Sequence, residues 1–198
     1  VVQDISERKQ MEEQVRQLAF YDALTKLPNR HLLNDRLNQA ITASKRSDSY
    51  GALMFLDLDN FKPLNDQYGH IVGDLLLTEV AHRITHCVRE LDTVARFGGD
   101  EFVVILAELE ADKAESTLEA LVVAEKIRAA LSEPYLLISR HNEGEEGVIR
   151  HQCGASIGVV VFSSHDGNQD DIIKWADMAM YQAKEEGRNL IRFYNAQS

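Results

Sequence analysis

The sequence predicts an α+β fold in which a central mixed β-sheet carries helices on its faces. Three observations lead to this prediction. Apolar, strand-like runs alternate with helix-like segments, and two of the runs are joined by a Gly-Gly turn. The 198 residues, 44% apolar and 27% charged, are enough for one core and a small appendage. The chain begins with Val1 rather than Met and is expected to be a fragment of a longer protein.

Helical periodicity begins after Asp4, and Met11, Val15 and Leu18 then recur at spacings of four and three. This seam fits a short coiled coil and an amphipathic helix packed on the body equally well. Four further helices are predicted along the chain by their apolar periodicity and their end signals, over 30–45, 72–89, 111–131 and 170–186.

The strands are predicted between these helices. An apolar run, YGALMFLDLDNF, precedes a hairpin in DTVARFGGDEFVVIL, where Gly98 and Gly99 are predicted to form the turn. EPYLLI and the segment 149–162 are predicted as strands joined by the loop HNEGEEG. The last helix stops at Gly187, and a short strand, LIRFY, closes the chain.

Composition argues against several functions. The formal net charge of −11 is unsuited to a nucleic-acid polymer as partner, although one nucleotide could bind through local basic groups and a metal. Cys87 and Cys153 suggest neither a metal pair nor a disulfide framework, which favours a reducing cytoplasm. No apolar run approaches the roughly 18 residues of a membrane span, and the GxxxxGK[ST] motif is absent from the sequence.

Carboxylates stand at the end of the first strand. In FLDLDNFK, Asp57 and Asp59 are expected at the rim of the sheet, where helix-flanked sheets often bind ligands. Mg²⁺ is usually held by one or two carboxylates together with substrate phosphates. Asp57 and Asp100 could therefore share a metal if the hairpin lies beside this strand, although FLDLD alone is more often an ordinary polar strand end.

Two further stretches contain groups suited to a nucleotide. FKPLNDQYGHIVGD contains Asn65 and Asp74, and an aspartate can accept from both N1–H and the 2-amino group of guanine. Lys184 and Arg188 are expected on the last helical turn, four residues apart, where they could hold a triphosphate. Taken alone, the first stretch is equally well a charged turn with a helix cap. The second pair more often interacts with a helix C-terminus.

Together these stretches resemble the GGDEF-domain family, the diguanylate cyclases that join two GTP into cyclic di-GMP. The motifs follow the family's order from Tyr21 to Tyr194: DALTKLPNR, FLDLDNFKPLND, YGHIVGD, ARFGGDEF, SIGV and ADMAMYQAKEEGRN. The resemblance implies a palm-like, nucleotidyl-cyclase-like α/β sandwich with a largely antiparallel sheet of about five strands and a small accessory β-hairpin. DISERKQMEEQ resembles the end of a PAS-type sensor domain, so 1–20 is expected to be a signalling helix and 21–198 the cyclase domain.

The resemblance also implies roles for individual residues. It implies a site for Mg²⁺ or Mn²⁺, with about two ions, at the Asp57 side chain, the Leu58 carbonyl and the Asp100 side chain. Asp100 and Glu101 are the implied catalytic residues, Glu101 either as a metal contact or in deprotonating the 3′-hydroxyl. Gly98 and Gly99 would leave room for the nucleotide. The implied GTP contacts are Asn60, Phe61, Lys62, Asn65, His70, Asp74, Lys184 and Arg188.

Regulation and assembly are implied as well. Arg89-Glu90-Leu91-Asp92 matches the family's RxxD product-inhibition site, with 93–97 between it and the Gly-Gly pair. The product needs its bond made twice and each domain has one implied GTP site, so a homodimer is expected. One position departs from the family's pattern, because Lys26 stands where DALTGLPNR has glycine, in a loop expected to lie outside the catalytic set.

Two alternatives to an active cyclase stay open. The first is a non-catalytic module that binds GTP or cyclic di-GMP and controls a neighbouring EAL-type phosphodiesterase domain, before which a chain ending in RFYNAQS would stop. The second is a nucleotidyl cyclase with a mononucleotide product. The sequence also leaves open whether a cytoplasmic domain of this kind belongs to a protein tethered to the inner membrane.

Overall fold

The computed structural model describes residues 1–140 and 146–196. In that part of the chain the strands are β1 (Gly51–Leu58), β2 (Thr93–Gly98), β3 (Glu101–Leu106), β4 (Tyr135–Arg140), β5 (Glu146–His151), β6 (Ala155–Phe162) and β7 (Ile191–Phe193). The helices are α1 (Val2–Phe20), α2 (Arg30–Ser47), α3 (Phe61–Tyr68), α4 (His70–Thr85), α5 (Lys113–Ser132) and α6 (Gln169–Glu185).

Five strands form the central sheet in the order β2-β3-β1-β6-β7. All neighbours are antiparallel except β6 and β7, which are parallel. Among the described residues, β4 and β5 pair only with each other, as a separate hairpin. The predicted fold class is therefore confirmed: a mixed, largely antiparallel sheet of five strands with helices on its faces and a small accessory hairpin.

The sheet separates two apolar cores. Met54 and Leu56 of β1 point into a core shared with α4 and α5, whereas Leu53 and Phe55 point into a core shared with α2 and α6. This alternation follows from the two-residue period of a strand. Asp57 continues the second series, so its side chain lies on the face covered by α2 and α6.

The N-terminal helix stands apart from both cores. α1 begins at Val2, before the predicted start after Asp4, and none of its residues is buried. The side chains of Met11, Val15 and Leu18 are 66%, 64% and 76% exposed, so the alternative in which this seam packs on the body is wrong. None of the helices in the described part of the chain is long and apolar enough to cross a membrane.

Several element boundaries differ from the prediction. The segment 61–68 is a helix that the sequence pattern did not predict, and Gly69, with φ of 85°, separates it from α4. α4 ends at Thr85, short of the predicted 89. The predicted strand 149–162 is two strands, β5 and β6, interrupted at 152–154. The predicted HNEGEEG loop lies mainly outside the described residues.

Gly158 of β6 lies against the backbone of α6. A Cβ at this position would come within 2.0 Å of the Ala176 carbonyl oxygen and 2.3 Å of the Met180 nitrogen. Because a helix backbone cannot turn aside as a side chain can, we predict that Gly158→Ala lowers the free energy of unfolding by about 3 kcal/mol. Urea unfolding followed by circular dichroism measures this. Gly98→Ala is the matched control, since no atom of the described residues lies within 4 Å of its added Cβ, and equal losses in both variants would contradict the prediction.

Candidate active site

The pairing of β1 with β3 brings the predicted acids together. Asp57 lies directly opposite Glu101, and the Leu58 N–H donates to the Asp100 carbonyl oxygen at 3.3 Å. Side chains of directly opposed residues in an antiparallel pair lie on the same face. The hairpin therefore lies beside the strand end FLDLD, as a metal site shared by Asp57 and Asp100 requires.

The hairpin turn is shifted by one residue from the prediction. Gly98 pairs with Glu101 and ends β2, so Gly99 and Asp100 form the turn. Gly99 has φ of 51°, a conformation that glycine adopts without a Cβ clash. Gly98 instead follows an irregularity in the β2–β3 pairing next to Arg96. The shift places Asp100 at the tip of the hairpin.

Asp57, Asp100 and Glu101 have little positive charge near them. The Lys184 Nζ lies 2.7 Å from Asp57 Oδ1. Burial nevertheless raises the pKa of Asp57 to about 6, with the neighbouring Asp100 contributing and Lys184 opposing. Burial likewise raises the pKa of Glu101, with further contributions from Asp57, Asp177 and Asp100. Such a cluster favours an added cation, because one ammonium group does not balance several carboxylates.

The acids fit part of a magnesium site. No three His, Cys, Asp or Glu side chains converge into a complete metal site within the described ranges. Mg²⁺ does not need one, because it usually takes one or two protein carboxylates and completes its shell with phosphates and water. Asp57 and Asp100 provide carboxylates of this kind on adjacent chain segments, and the Leu58 carbonyl remains a predicted third ligand.

The start of α3 lies immediately after β1. Asn60 has φ of 59°, and its side chain makes no capping hydrogen bond to the helix. The first amide groups of a helix point outward and attract anions, which suits the predicted phosphate contacts of Asn60, Phe61 and Lys62. The Lys62 side chain is exposed beside them. These three residues therefore lie together, beginning three residues after Asp57 in the chain.

The predicted guanine contacts lie where α3 meets α4. Asn65 Oδ1 is buried and has no hydrogen-bond partner among the described residues. It lies against Gly73, where an added Cβ would come within 1.8 Å of that oxygen. Asp74, the next residue, is exposed. Asn65 and Asp74 are thus brought together, whereas His70 is an exposed residue at the start of α4.

The predicted helical position of Arg188 is wrong. α6 ends at Glu185, so Lys184 lies in its last turn and Arg188 lies in the following loop. The cause is Gly187, whose φ of 126° stops the helix, and Arg188 then adopts φ of 63°. Lys184 and Arg188 therefore do not share a helix face, although they lie only four residues apart in the chain.

Asp59 is turned away from the predicted rim. It is 4% exposed, and its carboxylate accepts hydrogen bonds from the Ser156 hydroxyl at 2.7 Å and the Asn189 N–H at 2.9 Å. Both carboxylate oxygens are therefore occupied inside the protein. Of the two acids in FLDLD, only Asp57 faces the hairpin acids.

Sequence reasoning missed the support of the hairpin tip. Arg96 donates through Nε and Nη2 to the Gly99 carbonyl oxygen at 3.0 and 2.7 Å. Its Nη1 pairs with Asp22 at 3.1 Å, and its backbone N–H donates to the Pro28 carbonyl oxygen at 3.0 Å. The DALTKLPNR loop, expected to lie outside the catalytic set, therefore contacts the hairpin. The one sequence signal for this contact was that DALTKLPNR and ARFGGDEF both belong to the ordered set of motifs that the chain shares with the family.

The two charged residues of the predicted RxxD site differ in exposure and in structural role. The Asp92 side chain is 1% exposed, and it accepts from the Arg89 N–H at 2.9 Å and from the Ala107 N–H at 3.3 Å. The Arg89 guanidinium, 46% exposed, donates to Asp92 at 3.3 Å and to the Ala107 carbonyl oxygen at 3.0 Å. Asp92 therefore orients Arg89, and Arg89 is the member that can reach a ligand.

Comparison with known proteins identifies the family. The family model described as "Diguanylate cyclase, GGDEF domain" matches residues 19–190. The chain is 46% identical over 180 residues to the bifunctional diguanylate cyclase/cyclic di-GMP phosphodiesterase MucR of Pseudomonas aeruginosa, covering 91% of this chain and 24% of MucR. The structure of the coiled coil and GGDEF domain of DgcB from Caulobacter crescentus, in complex with c-di-GMP, matches with a TM-score of 0.80 and 28% identity, covering 97% of this chain and 94% of that one. The chain belongs to the GGDEF family.

The relatives differ in the activities that their names carry. The cyclic di-GMP phosphodiesterase PdeR of Escherichia coli is 37% identical over 185 residues, covering 93% of this chain and 25% of PdeR. The chain spans about a quarter of the length of MucR and of PdeR. Membership of the family is therefore shown, whereas the activity of this particular chain requires its own argument.

The buried acid predicts a pH dependence of stability. The pKa of Asp57 in the folded protein, about 6, lies above its ordinary value of 3.8. The folded state therefore loses stability as the pH rises through 6, because the unfolded chain releases this proton more readily. We predict that Asp57→Asn stabilises the protein by about 1 kcal/mol at pH 8 without divalent metal, a value reduced for partial solvent screening.

Urea unfolding in EDTA at several pH values measures this difference. The two proteins should converge as the pH falls towards the ordinary pKa of the carboxyl group. Asp35→Asn, at an exposed position on α2, is the control and should show no such trend. A variant Asp57→Asn that is less stable than the wild type at pH 8 would show that the Lys184 ion pair outweighs burial.

Proposed function

We propose that this chain is a diguanylate cyclase that condenses two GTP into cyclic di-GMP and two pyrophosphates. The observation that carries the proposal is the meeting of Asp57, Glu101 and Lys184 at the hairpin tip, where the Lys184 ammonium lies 2.7 Å from Asp57. A crowded set of acids where two neighbouring interior strands meet the hairpin turn suits a cation-assisted reaction of phosphates. Membership of the GGDEF family supports the same conclusion.

The proposed binding of one GTP uses both ends of the site. The amides at the start of α3, with Lys62, Lys184 and Arg188, would hold the triphosphate. Asn65 and Asp74 would read the guanine edge, and the buried Asn65 Oδ1 would gain the hydrogen-bond partner that the described protein atoms do not provide. Adenine lacks the N1–H and 2-amino donors that Asp74 would accept, so the site should prefer guanine.

The proposed reaction is attack of the 3′-hydroxyl of one GTP on the α-phosphorus of another, with pyrophosphate leaving. Asp57 and Asp100 would hold Mg²⁺ or Mn²⁺, which when bound lowers the pKa of the hydroxyl and offsets charge on the phosphate. Glu101, whose pKa is raised by burial and neighbouring acids, is suited to accept the hydroxyl proton. A metal contact remains its alternative role.

A homodimer is part of the proposal, because each domain offers one GTP site and the product contains two equivalent bonds. α1 supports this arrangement. Its seam of Met11, Val15 and Leu18 is exposed in the single chain and has the spacing of a coiled coil. We take residues 1–20 as the signalling helix and 21–198 as the cyclase domain, in a cytoplasmic part of a longer protein.

A second candidate function is a regulatory module that binds GTP or cyclic di-GMP without turning GTP over. It is favoured by the name of one relative, the cyclic di-GMP phosphodiesterase PdeR, at 37% identity. The retained acids at positions 57, 100 and 101 favour the enzyme, since a receptor needs no catalytic carboxylates.

The assay that separates the two candidates is incubation of the purified chain with GTP and Mg²⁺ or Mn²⁺, followed by chromatography of the products. We predict cyclic di-GMP formation that rises faster than linearly with protein concentration while the dimer forms. Asp100→Asn should reduce turnover by about a thousandfold or more while GTP binding changes little, because the lost carboxylate acts on the reacting atoms.

Asp35→Asn is the matched control for loss of one surface carboxylate and should retain full turnover. Full activity in Asp100→Asn would remove Asp100 from the chemistry. Absence of cyclic di-GMP from the wild-type chain at high protein concentration, together with measurable GTP binding, would favour the regulatory module instead.

Product inhibition gives a separate prediction. Arg89→Ala should weaken cyclic di-GMP binding by roughly tenfold or more, since Arg89 is the exposed member of the pair and charge-assisted hydrogen bonds are strong. Initial turnover should be unchanged. Calorimetric titration with cyclic di-GMP measures the effect, and Arg46→Ala, which removes an exposed arginine on α2, tests whether the loss is specific to Arg89. Unchanged affinity in Arg89→Ala would refute the RxxD assignment.

A further inference from the structure

The loop after α6 has a strained backbone. Gly187, Arg188 and Asn189 have φ values of 126°, 63° and 50°. Asparagine tolerates the left-handed region, but an arginine there is unfavourable by roughly 1 kcal/mol or more and persists only where the surroundings hold it. The left-handed backbone of Arg188, a proposed phosphate contact, therefore calls for a structural cause.

Asn189 is the residue through which the loop is held. Its backbone N–H donates to Asp59 Oδ2 at 2.9 Å. Its side-chain Oδ1 accepts from Arg128 Nη1 at 3.2 Å and from the Ser132 hydroxyl at 3.1 Å, both at the end of α5. A Cβ on Gly154 would come within 2.7 Å of Asn189 Cγ, so the side chain also fills the space above that glycine.

Asp59 joins this loop to the strand that carries Asp57. It is 4% exposed, and its Oδ1 accepts from the Ser156 hydroxyl at 2.7 Å while Oδ2 accepts from Asn189. Its own N–H donates to the Gly154 carbonyl oxygen at 2.9 Å. Asp59 therefore fixes the distance between the end of β1, β6 and the loop by direct hydrogen bonds.

The Arg188 side chain, by contrast, is left available. Its backbone N–H donates to the Ala183 carbonyl oxygen at 3.1 Å, which fixes the main chain. Its guanidinium is exposed and makes no ion pair in the part of the chain that the structure describes. The residues on either side are thus held while the cation itself stays free for a ligand.

We propose that Asp59 and Asn189 are positioning residues that hold Arg188 for the triphosphate and so set the preference for GTP over GMP. The proposal rests on the proposed function only in taking Arg188 as a triphosphate contact. GMP lacks the β- and γ-phosphates and would depend mainly on the guanine contacts at the junction of α3 and α4. We call the hydrogen bonds of Asn189 to Asp59, Arg128 and Ser132 the clamp. Loss of the clamp should therefore weaken binding of the triphosphate and leave binding of GMP unchanged.

The experiment compares the affinities of two ligands by calorimetry with Mg²⁺ present. The ligands are GMP and an α,β-methylene analogue of GTP, which cannot be attacked at the bridging bond. Asn189→Gly removes the clamping side chain but keeps the positive φ favourable. We expect it to weaken the triphosphate analogue by roughly tenfold and GMP by less than about twofold.

Three comparisons make the test specific. Asn189→Asp keeps an acceptor for Arg128 and Ser132 and should retain most of the affinity. Ser132→Ala, which removes one donor to Asn189, should weaken the analogue in the same direction but less. Asn38→Ala, at an exposed position on α2, is the matched control and should change neither affinity, and thermal unfolding verifies that every variant is folded at the titration temperature.

The decisive measurement is a double-mutant cycle with Arg188→Ala. If Asn189 acts through Arg188, Asn189→Gly should cause no further loss in the Arg188→Ala background. Additive losses, or equal losses for GMP and the analogue, would overturn the proposal. Because binding is measured without turnover, an effect in a chain that forms no cyclic di-GMP would leave the proposal standing and refute the cyclase instead.

Discussion

The site depends on the register between β1 and β3. Asp57 lies opposite Glu101, and a slip of one residue would turn Glu101 to the other face of the sheet. The register is set by the neighbouring side chains, because Phe102 and Val104 point into one core and Val103 into the other. Burial of apolar groups thus forces like charges together that would otherwise separate.

The free energy of this arrangement explains why it suits a ligand. The raised pKa of Asp57, the buried Asn65 Oδ1 without a partner and the left-handed backbone at Arg188 are each unfavourable in the isolated domain. A cation and a nucleotide would relieve the first two, and the clamp at Asn189 holds the third in place. The protein therefore gives up some stability at the positions where binding is proposed.

Patterns that are local in sequence were sufficient for the sheet but not for its supports. The apolar run of β1 and the Gly-Gly hairpin are short-range signals, and both predicted strands are present. α3 was missed because its sequence, FKPLNDQY, has weak helix propensity, and burial of Leu64 and the contact of Asn65 with Gly73 stabilise it instead. The Asp22–Arg96 pair joins residues far apart in the chain, so no local pattern could predict it.

Lys26 shows what the family resemblance could predict about the backbone and what it could not predict about contacts. The resemblance marked it as a departure from glycine, and its φ of 63° supplies the physical reason that glycine suits the position. Sequence comparison can thus flag a strained backbone without revealing what it contacts. In this chain the strained loop is the one whose Asp22 braces the hairpin tip through Arg96, so a substitution outside the predicted site still bears on it.

The position of the acids also bears on assembly. Asp57 and Glu101 lie on the face of α2 and α6, whereas Asn65 and Asp74 belong to α3 and α4 on the other side of the sheet. Two residues of chain separate the end of β1 from the start of α3, the helix that carries Asn65. A nucleotide that contacted both groups would have its sugar near the acids. In the proposed homodimer, the second nucleotide would be held by the other copy of the domain, in the matching orientation.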